Sequence, residues 1–372
     1  MTRNIKISAL NSETDADWNY GIGGRILVGT RDDGVDDQGD TQYQSGWAQI
    51  SNIEFEGMGQ FGYKSVIDPR YALAFWKTAG QTGGLYDVED ESYVRGCSFH
   101  HGYWSQLGAF FTNDLEFSDN VIYNSVDSSI RLYAAENAVL DGNTGIYLRQ
   151  KNLFIVDNGF SLNNSNIDAE HPAFGIEIQA TTNVDLTNNH FAGVELGAGF
   201  KFLGESCESS EICASDQGSG STNYGNVVHA SGFGVWILKE TLRPCAKISG
   251  FTVFNVNRAG IYTNAPHHSL IVDGVTIFDT PTGTLNIQYG PSPLSHVVVK
   301  KTFTFKNSVF GGMSDHFRCA EYQQINQVDR YSLASQSLTI DATPDGSTRK
   351  HWVGLIEPST LEGYNKFPKK NL

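Results

Sequence analysis

The chain has 372 residues, with 26 Lys and Arg against 41 Asp and Glu, a formal net charge of −15 and a pI near 5.0. That balance excludes a nucleic-acid surface, which needs clustered Lys and Arg, and disfavours adsorption to an anionic membrane face. A hydrophobic content of 40% excludes global disorder, and the 39 Gly point to many short strands joined by turns.

The first residues, MTRNIKISALNSE, show no apolar core of a secretory signal. No apolar run in the chain approaches the ~18 residues of a membrane span. Residues 1–50 read as an N-terminal segment leading into the repeats. Within it, GTRDDGVDDQGD (29–40) gathers Asp32, Asp33, Asp36, Asp37 and Asp40. Dense carboxylates with Gly suit calcium, but the spacing of an EF-hand is missing, so a solvated turn is the expectation.

From residue 51 an Asn or Gly repeatedly opens a short apolar alternation. These starts are Asn52, Gly96, Asn120, Asn143, Asn166, Asn189, Asn226, Gly250, Gly274 and Asn307. From Gly96 the steps are 24, 23, 23, 23, 37, 24, 24 and 33. A second series keeps phase with it at Gly108, Ser129, Asn152, Gly175, Gly199, Gly234, Gly260 and Thr284. Alternation marks strands with one buried face. One rung cannot bury that face alone, whereas stacked rungs build a continuous core. The expected fold is all-β: a right-handed parallel β-helix, a single-stranded solenoid of about 23 residues per rung. The repeats are expected over 51–315, with an irregular segment or tail over 316–372. The third residue after each start is expected to face inward: Phe55, Phe99, Tyr123, Ile146, Ala169, Ala192, His229, Val253, Ile277 and Phe310. Recurrent Asn at the bends is expected to stack into an amide ladder.

The 37-residue step holds an inserted loop, 204–223, containing Cys207 and Cys213. Of the remaining Cys residues, Cys97 reads as a small core side chain, while Cys245 and Cys319 lie outside the loop. The spacing offers no CxxC pair, and the odd count leaves a thiol over. In an oxidising compartment, Cys207 pairing with either Cys213 or Cys245 would pin the loop. Asn163 heads the sequon Asn163-Asn164-Ser165, a glycosylation candidate.

No nucleophile elbow, Walker loop or HExxH motif occurs, and no catalytic, cofactor or metal residue is assigned. The pairs His100-His101 and His267-His268 are read as surface or turn residues, because neighbours on a strand point to opposite faces. Asp119, Asp141, Glu177 and Asp273 are the outward carboxylates that a groove acting on polysaccharide would use, bend capping being the plainer expectation. Tyr103, Trp104 and Trp236 are the aromatics considered for stacking on sugar rings.

The segment YVRGCSFHHGYWSQLGAFFTNDLEFSDNVIYNSVDSSIRL (93–132) resembles the β-helix of the fibrocystin-L and fibrocystin (polyductin) family. So do NVDLTNNHFAGVELGAGFKFLGESC (183–207), RPCAKISGFTVFNVNRAGIYT (243–263) and LSHVVVKKTFTFKNSVFGG (294–312). GGRILVG (23–29) and ISNIEFEGMGQFG (50–62) resemble the start of the same helix, just after the module named G8. A more distant similarity reaches cell-surface hyaluronidases. The resemblance implies a β-helix on the outer face of the plasma membrane, cut from a very large single-pass protein with an upstream G8 module. It implies a non-catalytic scaffold with an extracellular protein or glycan ligand, no cofactor, and Cys245 as the partner of Cys207. DPRYALAFW (68–76) replaces the His-rich strand of hyaluronan-degrading relatives, which weakens transfer of that activity.

Overall fold

The computed structural model describes residues 5–9, 22–39, 41–61, 68–78, 92–150, 172–179, 181–203, 223–238, 245–264, 269–289, 303–311, 333–342, 348–349, 355–356 and 360–362. It divides into two units, Met1–Lys201 with Ser219–Thr222, and Phe202–Gly218 with Asn223–Leu372. The described residues are strands and turns, and strands of successive coils pair in parallel, as a right-handed parallel β-helix requires.

In the first unit each coil runs through three strands. One coil consists of Ser92–Arg95, Ser98–Gly102 and Leu107–Phe110, and the next of Leu115–Ser118, Val121–Val126 and Ile130–Tyr133. We refer to these as the first, second and third sheets. A single left-handed residue separates the first sheet from the second at each described corner: Asn52, Gly96, Asp119, Gly142 and Asn188, with φ between 53° and 65°. Gly, Asn and Asp are the residues that tolerate this conformation, so they recur at this corner.

The corner sets what faces inward. Three residues past it lie Phe55, Phe99, Ile122, Gly145 and Phe191, paired in register and buried. Phe55 and Phe99 stack with ring centroids 4.5 Å apart. A Cβ on Gly145 would come within 2.5 Å of the Phe191 ring, so the missing side chain makes room for the large neighbour. The third sheet supplies the facing wall, with Leu73, Leu107, Ile130 and Ile176 in one column. Each such side chain contributes about 1.5–3 kcal/mol through removal from water.

This geometry corrects part of the inward column read from the sequence. Asn120, Asn143 and Asn189 stand one residue past the corner, so counting from them shifts the register by one. A one-residue slip reverses the face. Tyr123 and Ile146 accordingly lie outside, 45% and 43% exposed, and Ala192 is only partly buried. The phase of the period holds; its origin is the left-handed residue.

The expected amide ladder forms at the residue after the corner. Asn120 donates from Nδ2 to Asn143 Oδ1 at 3.0 Å, and Asn143 does the same to Asn189 at 3.0 Å. The Asn120 and Asn143 side chains also bond Val94 and Phe117 carbonyls at 2.9 and 2.8 Å. Their Oδ1 atoms accept the Cys97 and Asn120 backbone N–H groups. All three Asn are fully buried, so these bonds satisfy corner groups that water cannot reach. Cys97 heads the same column as a buried thiol whose Sγ lies 3.4 Å from the Arg95 carbonyl. Because Thr144–Arg149 pairs directly with His190–Val194, Asn143 and Asn189 are neighbours 46 residues apart. The starts read at Asn152 and Asn166, and the sequon at Asn163, lie outside the described residues.

In the second unit the same corner recurs at Gly225, Gly250, Gly274 and Asn307, followed by inward Val228, Val253, Ile277 and Phe310. His229 is half-buried there for the reason given for Tyr123. Parallel pairing extends past both limits expected for the repeats. Ile5–Ser8 pairs with Ile53–Glu56, Ile26–Val35 with Leu73–Trp76, and Val309–Gly311 with Thr360–Glu362. The acidic segment is the tip of a hairpin, Ile26–Val35 against Thr41–Ser45. Asp33 holds Arg31 and Gln44, and Asp36 accepts the Gln38 N–H, as a turn requires. The side chains of Asp32 and Asp40 lie outside the described residues, as do Cys207, Cys213, Cys319, His267, His268 and the Cys245 side chain.

Candidate functional site

Alternation along the second sheet of the first unit lines two columns on its outer face. One runs Ser8, Glu56, His100, Tyr123, Ile146 and Ala192; the other runs Lys6, Glu54, Ser98, Val121, Thr144 and His190. The face is therefore charged at one end and aromatic or aliphatic toward the other. Val121, Tyr123, Ile146 and Tyr147 are all exposed.

A second line of left-handed residues crosses these strands at His101, Asn124, Tyr147 and Gly193, with φ between 50° and 66°. Such a residue breaks strand alternation, so its side chain returns to the face of its neighbour. His101 consequently lies beside His100, their Nδ1 atoms 2.8 Å apart. This corrects the expectation that the pair points to opposite faces. His100 Nε2 meets Glu54 Oε1 at 3.1 Å, and His100 Nδ1 lies 3.9 Å from Glu56 Oε1. Tyr123 packs edge-on against the His101 ring at 5.8 Å.

Lys6 spans the two carboxylates, 3.0 Å from Glu54 and in contact with Glu56 Oε2. Its hydrogen bonds, followed for Glu54 by that of His100, hold both carboxyls below the usual carboxylate range. Glu56 and then Glu54 raise the Lys6 ammonium. The lowered carboxylates contribute stability above about pH 4.3, lost as pH falls through their folded values; the raised Lys contributes below about pH 10.4, lost as pH rises through its folded value. Lys6→Met is therefore expected to lower the melting temperature most between about pH 5 and 10, with the gap to wild type closing below about pH 4. Thermal unfolding at stepped pH measures this, and a gap independent of pH would refute it.

The outer face of the third sheet carries a different constellation. Arg131 pairs in register with Glu177 on the next strand, and Lys201 Nζ reaches Glu177 Oε1 at 3.1 Å. Arg131 Nε lies 3.8 Å from Glu177 Oε2, and Ser128 donates to the same oxygen at 3.2 Å. All three charged residues are over nine-tenths buried. Burial pushes the Arg131 pKa down, but Tyr71, Glu177 and Asp127 outweigh it, so the net direction is up and the guanidinium stays charged. Around it Tyr71, Trp104, Phe110 and Tyr133 form an apolar cluster outside the main core.

Of the groove carboxylates named from the sequence, only Glu177 enters such a cluster. Asp119 occupies a left-handed corner against Gly142. Asp141 accepts from Thr187 and Asn188, and Asp273 from Asn307, the bend capping that was the plainer expectation. Tyr103 and Trp104 are buried rather than offered to a ligand, because they pack into the cluster beside Phe110. Trp236 is half-buried, edge-on to Tyr262 at 5.0 Å. Sequence reasoning missed Arg131 and Lys201, although a single charge inside each apolar triplet, IRL, IEI and FKF, was a usable signal.

The family model described as CEMIP beta-helix matches residues 39–235. Fibrocystin-L of Mus musculus is 30% identical over 385 aligned residues, and that of Homo sapiens 30% over 383; each alignment covers all of this chain. The chain spans 8% of the length of either relative. Solved structures with a similar course include an exopolygalacturonase from Thermotoga maritima, at 8% identity and a TM-score of 0.46, covering 89% of this chain and 74% of that one. Another is the catalytic unit of a GH87 alpha-1,3-glucanase from Streptomyces thermodiastaticus, at 12% identity and a TM-score of 0.34, covering 93% and 64%.

Proposed function

The chain belongs to the CEMIP β-helix family, and from that premise we propose that it is a non-catalytic, extracellular scaffold that binds a glycan along the outer face of the second sheet. The observation that carries the reading is the exposed strip Val121, Tyr123, Ile146 and Tyr147 on one face of a rigid parallel sheet. Tyr offers an apolar ring for a sugar face and a hydroxyl for its rim, with little rotamer freedom to lose. A flat array held by coil stacking is already organised for an extended chain. In the parent protein an upstream G8 module and a membrane anchor would complete the assembly.

The alternative is a carbohydrate-active enzyme of the same fold. Glycoside hydrolysis needs one carboxyl free to donate a proton and a second at a defined separation. Glu177, the buried carboxylate on the third sheet, instead engages Lys201, Arg131 and Ser128, so both of its oxygens are taken up by cations and a donor of the protein itself. This supports the binding reading.

The full chain, screened against matrix glycans including hyaluronan, is expected to bind one class and release no shorter products. Tyr123→Ala and Tyr147→Ala are each expected to weaken binding about 10-fold, roughly 1.4 kcal/mol. Depolymerisation by a folded sample, or binding that both variants leave intact, would overturn the proposal.

A further inference from the structure

We propose that Glu56, His100 and His101 form a binding site for a divalent transition ion of the zinc type, with Glu54 as the supporting carboxylate behind His100. The inference does not depend on the glycan reading: it uses the charged end of the second-sheet face, where His101 adjoins Tyr123, and requires no sugar.

Geometry argues first. One ligand atom from each of Glu56, His100 and His101 can be chosen so that all lie within 4.8 Å of one another. They come from adjacent coils: Glu56 is paired in register with His100, and the left-handed conformation of His101 brings its ring to the same side. The two Nδ1 atoms are 2.8 Å apart. A tetrahedral ion with Zn–N of about 2.0–2.1 Å separates two nitrogens by about 3.3 Å, so the rings need to part by only about 0.5 Å. His101 is exposed, so its ring has room to do so.

Donor chemistry argues second. His100 Nε2 faces Glu54 Oε1 at 3.1 Å, an arrangement in which Nε2–H donates and the lone pair of Nδ1 is left toward His101 and Glu56. A carboxylate on the far nitrogen is the usual support for a metal-bound imidazole, fixing tautomer and ring orientation. Lys6 engages Glu56 through Oε2, while Oε1 is the oxygen turned to His100. The Lys6 pairing therefore orients the carboxylate without occupying the oxygen the ion needs. An entering ion displaces the proton shared between the two Nδ1 atoms, which moves to Nε2 of His101 or to solvent. Two imidazoles and one carboxylate suit zinc better than calcium or magnesium, which prefer all-oxygen shells. Three protein ligands leave a fourth position for water or a ligand group, on the face that also carries Tyr123.

The test is a titration of the chelator-treated full chain with zinc by calorimetry, and with cobalt(II) by its visible absorption. The wild type is expected to take up one more equivalent, at about micromolar Kd, than His101→Asn, which keeps a residue that tolerates the left-handed conformation. Glu56→Gln is expected to weaken that equivalent at least 10-fold, and Glu54→Gln about 10-fold through loss of support for His100. His190→Ala, on the same face outside the cluster, is expected to change nothing. Circular dichroism confirms that each variant is folded. Equal uptake by wild type and His101→Asn, or no saturable uptake by wild type, would overturn the site.

Discussion

Asn143→Ala is expected to destabilise the chain by about 2–4 kcal/mol. The Asn143 amide accepts from the Asn120 backbone and side chain and donates to Phe117 and Asn189. Removing it takes the side-chain acceptor from the Asn120 backbone N–H and one bond each from the Phe117 carbonyl and the Asn120 and Asn189 amides, which keep Val94 and the Asn143 N–H. The column is fully buried, and an unpaired group there costs about 1–3 kcal/mol. Loss from the middle of a polarised chain of bonds adds to that sum, as does the small cavity. Asn137 is the internal control. It sits in a similar ladder between Asp114 and Asn183, but that ladder is exposed, so Asn137→Gly is expected to cost only a few tenths of a kcal/mol. Denaturant unfolding of both variants reads the difference as a shift in midpoint at unchanged slope. A midpoint for Asn143→Ala close to wild type would mean that the column does not organise the corner.

The period was legible in the sequence because every coil must return to the same corner, and Gly, Asn and Asp adopt the conformation there at the least cost. Its origin was less legible for the same reason. Asp119-Asn120, Gly142-Asn143 and Asn188-Asn189 each place a corner residue directly before a ladder residue, and both positions draw on overlapping residue types. Choosing the Asn as the start put Tyr123 and Ile146 inside, when they form part of the exposed face on which the proposed function rests. The His pair was hidden by a sound rule applied where it fails. Strand neighbours alternate unless one is left-handed, and nothing in the local sequence SFHHGYW marks His101 as the exception. The buried charges were legible in kind but not in partnership, because Arg131 and Glu177 meet only after the chain has travelled 46 residues.

Those charges give the second large effect, and it separates scaffold from enzyme. Glu177→Gln is expected to cost about 3–5 kcal/mol, because it leaves Arg131 and Lys201 as buried cations without their shared counter-ion. Among the described residues, Arg131 Nε and Nη1 have no hydrogen-bond acceptor, so the site has little capacity to compensate. Lys201→Met alone removes the closer cation and is expected to cost less, since Arg131 and Ser128 still serve the carboxylate. The double variant Glu177→Gln with Lys201→Met is expected to recover part of the loss, giving a coupling of about 1–3 kcal/mol in the cycle. A catalytic carboxylate behaves in the opposite way: its isosteric amide keeps the fold and loses turnover, because active-site groups are held at a cost in stability. If Glu177→Gln melts like the wild type, the carboxylate is not a structural counter-ion and the third-sheet cluster becomes the first place to look for chemistry. If it melts far lower and returns with Lys201→Met, the coils are fastened from outside by charge as well as from inside by the amide column.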